Sequence, residues 1–145
     1  MPDSVDLGGP VREALDGAVL RGHPPALAYV REDGSPAATF RGSTYVRSPK
    51  ELAIWVRKRD DGFAKAITKE SRVSLVYADF GGPGVRYVAI EGRASARPEL
   101  NDEIYQAIVQ PEREQDPEKN GIAVVIEVYS VRGFGSSGYF EQHGN

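Results

Sequence analysis

The sequence predicts a mainly β fold: a six-stranded antiparallel β-barrel with short peripheral helices. Three observations carry this. Short apolar runs recur between Gly, Pro and Asp signals, as strands joined by tight turns do. Asp33-Gly34 and Gly81-Gly82-Pro83-Gly84 each sit between runs that can be extended, so both read as hairpin turns. The chain has 145 residues and no cysteine. One domain of that size can bury roughly 68–70% of its unfolded surface without staples, so residues 1–145 are taken as a single domain with an ordered core over about 10–135.

Residues 10–20, PVREALDGAVL, place Val11, Ala14, Leu15, Ala18 and Val19 on one helical face. Pro10 suits the first turn, and Gly22 with Pro24 suits the stop. The run PALAYVREDGSPAATFRG forms the first hairpin around Asp33-Gly34. Ser48-Pro49 introduces a third strand, Glu51 to Val56. Asp60 or Asp61 can cap a short helix whose Phe63, Ala66 and Ile67 face inward. RVSLVYADF and VRYVAIEGRASA are the next two strands, joined by the GGPG turn. Pro98 opens a helix in which Leu100, Ile104 and Ile108 share a face, and Pro111 stops it. PEREQDPEKNG is a charged surface loop, and IAVVIEVYSVRGFG is a long final strand. The tail, 136–145, is expected to be loose.

Composition excludes several classes. Without cysteine there is no disulfide, no thiolate nucleophile and no Cys-ligated metal. No apolar run approaches the ~20 residues of a membrane span, and MPDSVDLGGP does not read as a secretory signal. A cytoplasmic protein is expected. The net charge of −3 gives no general attraction to nucleic acid or anionic membrane, so any anion site must be local.

Familiar motifs fail on context. Gly133-Phe134-Gly135-Ser136-Ser137-Gly138 matches G-x-G-x-x-G by letter, but no βαβ unit or helix follows to present amides to a pyrophosphate. Gly81-Gly82-Pro83-Gly84 lacks the Lys and Ser/Thr that end a P-loop. His23 sits at a helix exit and His143 in the tail, a placement that makes neither a metal cluster nor a Ser–His–Asp triad. No catalytic side chain can be named.

Two stretches remain. In Ile54-Trp55-Val56-Arg57-Lys58-Arg59-Asp60-Asp61-Gly62-Phe63, apolar residues run straight into three cations. With Lys65, four cations face two local acids. A solvated, self-compensated turn accounts for this, and so does an anion site. In Phe40-Arg41-Gly42-Ser43-Thr44, a glycine within a strand marks a bulge or a close backbone approach by a ligand. Arg41, Ser43 and Thr44 can donate to phosphate or carbonyl oxygens. By sequence order Arg41 and Arg57 belong to neighbouring strands and could converge.

These phrases also carry a resemblance. ALAYVREDGSPAATFRGSTYV, ELAIWVRKRDDGFAKAITKESRVSLVYAD and VRYVAIEGRASA together resemble the pyridoxamine 5′-phosphate oxidase-like, flavin-binding split-barrel superfamily over about residues 10–135. Asp33-Gly34-Ser35-Pro36 resembles its first hairpin, Arg72-Val73-Ser74-Leu75 its fourth strand and Gly92-Arg93-Ala94 its fifth. The resemblance implies a six-stranded split barrel and a homodimer. FMN, or in some branches the deazaflavin F420, would sit at the subunit interface. It places a flavin phosphate at Arg41, Gly42, Ser43 and Thr44 and at Trp55, Val56, Arg57 and Lys58. Many members open the short helix with Ser-Arg-Lys; here Asp61-Gly62-Phe63 stand there, leaving Lys65, Arg57 or Lys58 to substitute. Trp55 could wall the flavin ring or simply pack, and Arg132 would reach the partner's site.

The activity so implied is a flavin-dependent oxidoreductase acting on a small organic substrate. A flavin-binding carrier or sensor without turnover is the alternative, and an F420-dependent reductase another. A barrel binding single-stranded nucleic acid through Trp55 and its cations is disfavoured by net acidity and the lack of interleaved aromatics.

Overall fold

The computed structural model describes residues 4–60 and 62–144. Helix α1 (Pro10–Leu15) begins with proline in its first turn, where the missing N–H costs no bond. It ends sooner than the apolar spacing implies. Asp16 is extended and Gly17 takes φ 70°, so the chain restarts as a 3₁₀ turn, Ala18–Arg21. Val11, Ala14, Leu15 and Ala18 are still buried, so the apolar face survives the break.

Strands β1 (Ala26–Val30) and β2 (Pro36–Phe40) form the expected hairpin. The Asp33 carboxylate accepts from Ser35 N–H at 2.9 Å and Ser35 Oγ at 2.6 Å, fixing the turn. Then come β3 (Tyr45–Ser48), β4 (Glu51–Val56), helix α2 (Phe63–Lys69), β5 (Arg72–Ala78) and β6 (Val85–Ala96). Helices α3 (Asn101–Ala107) and α4 (Gln110–Glu114) lead to β7 (Ile122–Gly135) and β8 (Gly138–His143). The strand order is β2-β1-β5-β6-β7-β4-β3, with β8 added to β7, and every pair is antiparallel.

The sheet therefore has eight strands rather than six. It is also not closed, because β2 and β3 are not hydrogen-bonded to each other. The four residues of β3 are too few to show alternation. The tail expected to be loose instead forms β8, for a reason that lies in β7. β4 covers only the first part of that long strand, ending at Glu51 opposite Glu127. β8 covers the rest, starting at His143 opposite Ser130. Without it, that edge would be an open template for pairing.

Two helix boundaries also differ. Among the described residues no side chain caps α2; Gly62, at φ 95°, is its N-cap. Asp60 does not take that role, and Asp61 lies outside the described residues. Pro111 does not stop α3, which has already ended at Ala107; it sits in the first turn of α4, where proline is tolerated.

There are two cores. The barrel interior packs Leu27, Leu52, Ile54, Phe63, Leu75, Ile90 and Ile126 among others. A second cluster on the opposite face of β4 and β7 packs Ala53, Trp55, Val125 and Ala123 against Ile104, Tyr105 and Ile108 of the α3 region. This is why nearly all of β4 is buried on both faces.

The β6–β7 pair shifts register between Glu91 and Gly92. A Cβ at Gly92 would lie 2.6 Å from both Glu127 O and Ile126 Cγ2. Gly92→Ala should therefore destabilise the protein by roughly 1–3 kcal/mol through overpacking. Urea unfolding measures it, and an unchanged midpoint would refute the close approach.

Candidate functional site: a cationic recess at the open end of the barrel

The chain leaves β2 at Phe40 and enters β3 at Tyr45, so residues 41–44 form the covalent bridge across the open edge. Arg41 N–H donates to Pro25 O at 2.9 Å. Thr44 gives both its N–H (3.2 Å) and its Oγ1 (2.7 Å) to Arg41 O. Ser43 Oγ accepts from Trp55 N–H at 2.9 Å and donates to Trp55 O at 3.3 Å. Gly42 is thus in a turn, not inside a strand. Arg41 and Arg57 do converge, but not through strand pairing, since β2 and β4 are not neighbours. The turn brings Arg41 to the same recess as Arg57 at the exit of β4.

Arg41 and Arg57 line one recess of about 230 Å³, with Phe40, Trp55, Glu112 and Gln115 among its walls. Arg57 and Gln115 also line a second hollow of about 490 Å³, which Lys58, Arg59 and Asp116 share. The cations differ in their commitments. The Arg41 guanidinium lies 4.6 Å over the Phe63 ring. Arg59 is tied to the carbonyls of Asn120 (3.0 Å) and Gly121 (2.5 Å). Arg57 and Lys58 are exposed.

Other expected site residues serve the framework. Trp55 is 3% exposed, edge-on to Tyr105 at 5.1 Å, and its indole N–H donates to Asp116 Oδ2 at 2.9 Å. Val56 points into the barrel core. The hydroxyls of Ser43 and Thr44 are buried and engaged as described. Lys65 is exposed on α2 and lines neither hollow. Arg132 lies ten positions beyond Ile122 on β7, and Ile122 faces Val56, so Arg132 is roughly 33 Å along the strand from the cationic corner.

Four residues escape sequence reasoning: Phe40, whose ring is 73% exposed at the recess, Glu112, Gln115 and Asp116. Asp116 is the buried centre of its loop. It accepts from Trp55 Nε1 (2.9 Å), Asn120 N–H (3.0 Å) and Gly121 N–H (2.9 Å). Burial pushes its carboxyl pKa up. The Asn120, Trp55 and Gly121 bonds and the Arg57 charge outweigh burial and hold it below the ordinary value. The Asp-Pro and Asn-Gly pairs of this segment signal a turn, but not that its carboxylate turns inward.

A roomier groove of about 570 Å³ lies between the Ser48–Glu51 turn and Arg93, Glu127 and Tyr129. Its walls set Lys50 and Arg93 against Glu51 and Glu127, so it has no charge preference to recruit an ion.

Neither a protein-family model nor a curated protein matches this sequence. Solved structures do match. A Lactobacillus delbrueckii protein described as a candidate pyridoxamine 5′-phosphate oxidase aligns over 88% of this chain and 98% of its own, at 20% identity and TM-score 0.57. A Clostridium acetobutylicum protein related to general stress protein 26, of the pyridoxinephosphate oxidase family, aligns over 87% and 89%, at 8% identity and TM-score 0.64. An F420 reductase aligns over 75% and 88%, at 15% identity and TM-score 0.58. The fold is the pyridoxamine 5′-phosphate oxidase-like split barrel. At these identities the likeness establishes the fold alone. No helix among the described residues is long and apolar enough to cross a membrane.

In this split barrel Asp116 couples stability to pH. Its folded pKa is depressed, so its contribution is complete above the ordinary value of 3.8 and is lost as pH falls through the folded value. Asp116→Asn turns an amide towards N–H donors, and should cost roughly 2–4 kcal/mol at neutral pH. It should also flatten the acid limb of a stability–pH curve and alter the near-UV signal of the single tryptophan. A variant as stable as the parent, with the same acid limb, would remove Asp116 from this role.

Proposed function

We propose that this chain binds FMN and works as a flavin-dependent oxidoreductase on a small organic substrate. The observation that carries the reading is the convergence of Arg41 and Arg57 on one recess, with Lys58 beside it, at the open end of a split barrel. The donor set suits a phosphate. Guanidinium and ammonium groups neutralise a dianion, and Arg offers a planar fork of N–H donors. Ser43 and Thr44 contribute by holding the turn that aims Arg41, and Trp55 by holding the exit of β4 that aims Arg57 and Lys58. Phe40, rather than Trp55, is the ring free to meet a ligand. Bound flavin supplies electron transfer from its own ring system, so the protein's part is binding, orientation and exclusion of water.

The reading includes a homodimer. Phe40, Ala26, Val76 and Ala89 form one row across the outer face of β2-β1-β5-β6, and Arg132 extends it on β7. Ala78, Tyr87, Phe134 and Tyr139 form the next row. Phe40, Val76, Phe134 and Tyr139 are all exposed, a broad apolar face for a monomer to leave in water. A second copy of this chain covers that face. A two-fold axis lying in the face, along the strands near Val76, would carry Arg132 of the partner subunit towards Phe40 and the recess.

Purified protein should show visible flavin absorption or acquire it on FMN titration. Arg57→Ala with Lys58→Ala should weaken FMN about tenfold and riboflavin much less, since only FMN carries the phosphate. Equal weakening would move these residues off the phosphate. A colourless protein that takes up neither FMN nor F420 would end the flavin reading. If FMN binds, turnover with a reductant separates an enzyme from a carrier.

The assembly is tested apart from the cofactor. Val76→Arg, at the centre of the apolar row, should convert a dimer to a monomer in analytical ultracentrifugation without unfolding it. A parent protein that is monomeric throughout would overturn the homodimer.

A further inference from the structure

The recess that holds Arg41 and Arg57 also contains a carboxylate. Glu112, on α4, is half-buried there, and its Oε2 lies 2.7 Å from where a Cβ on Gly42 would be. A side chain at position 42 would press on this oxygen. Gln115 Nε2 approaches the same oxygen at 3.5 Å.

The segment carrying Glu112 is lightly attached. α4 has no buried residue. Its anchors are polar: Arg113 donates to the carbonyls of Gln106 (3.2 Å) and Ile108, and Tyr105 Oη donates to Arg113 O (3.2 Å). Moving the Glu112 side chain out of the recess breaks no apolar core contact. Leaving it in place puts a negative charge where an incoming anion would be neutralised.

We infer that Glu112, a carboxylate lining the Arg41–Arg57 recess, opposes an incoming phosphate, and that it thereby sets the recess's affinity and selectivity for anions. This rests on the recess being the phosphate site of the proposed function. It adds a residue that opposes binding rather than one that assists it. Like charges held at ion-pair distance repel as strongly as opposite charges attract, so a phosphate dianion and the carboxylate do not share the space. A singly charged anion suffers less from Glu112 than a dianion does.

The test is titration with inorganic phosphate, at constant ionic strength, followed by calorimetry and by the shift in thermal midpoint relative to chloride. Glu112→Gln keeps shape and removes charge; Glu114→Gln makes the same net change on the exposed side of α4 and serves as control. Glu112→Gln should bind phosphate roughly three- to tenfold more tightly than the parent, with a smaller gain for chloride. Glu114→Gln should match the parent. FMN is titrated alongside. A gain for phosphate with no FMN binding in any variant would defeat the flavin reading and leave this inference standing. Phosphate affinity that is unchanged or weaker in Glu112→Gln, or raised equally by Glu114→Gln, or undetectable in every variant, would overturn it whatever FMN does.

Discussion

Trp55, bonded through its backbone to Ser43 and through its indole to the buried Asp116 carboxylate, holds the turn that crosses the open end of this barrel. A sheet that closed on itself would need no such device, because backbone pairing would fix both edges. Here β3 is an edge strand of four residues, joined to β2 only through the turn at 41–44. Ser43 clamps that turn to the backbone of Trp55, and the Trp55 side chain reaches the other way into the loop around Asp116. One residue thus ties both the 41–44 turn and the Asp116 loop to the exit of β4. Gly121 fits this knot because a Cβ there would stand 2.8 Å from Trp55 Nε1.

That arrangement explains why the cations stand where they do. Both faces of β4 are buried, so the first position free to carry charge is the one after Val56. Arg57 and Lys58 emerge there, and Arg59 folds back to cap the carbonyls of the Asp116 loop. Arg41 arrives from the opposite edge of the sheet because the turn crosses the gap. The recess shared by Arg41 and Arg57 at this place is a consequence of the open edge.

Much of this was legible in the sequence, and the remainder was hidden for identifiable reasons. The strands with clean alternation and flanking turns, β1, β2 and β4 to β7, are visible because period-two burial leaves a mark in every second residue. β3 is too short to leave such a mark. β8 is polar and glycine-flanked, and it exists because part of the β7 edge would otherwise lie bare, which is a tertiary demand. The cations at 41 and 57 to 58 could be picked out from composition and from the family resemblance. The roles of Ser43, Thr44 and Trp55 could not. Their donors look free in a sequence and are engaged in the structure. Asp116 and Glu112 sit in what reads as a charged surface loop, and nothing local tells that one carboxylate turns inward and the other lies over a glycine.

Charge counting at the corner therefore needs revision at the level of individual groups. The bland reading balances four cations against the neighbouring acids by proximity in sequence. In space, Lys65 lines neither hollow, and Arg59 is occupied with two carbonyls. Arg41, sixteen residues earlier in sequence, joins Arg57 in one recess. On the acidic side, Asp116 already serves three N–H donors. Glu112 is a carboxylate that lines the recess with Arg41 and Arg57. Two guanidinium groups and this carboxylate, which sits on a lightly held segment, line the recess, with Lys58 at the margin. On the reading proposed above, the charge Glu112 brings to the recess depends on the position of one side chain, and that gives a short helix with no buried residue a stake in what the recess binds.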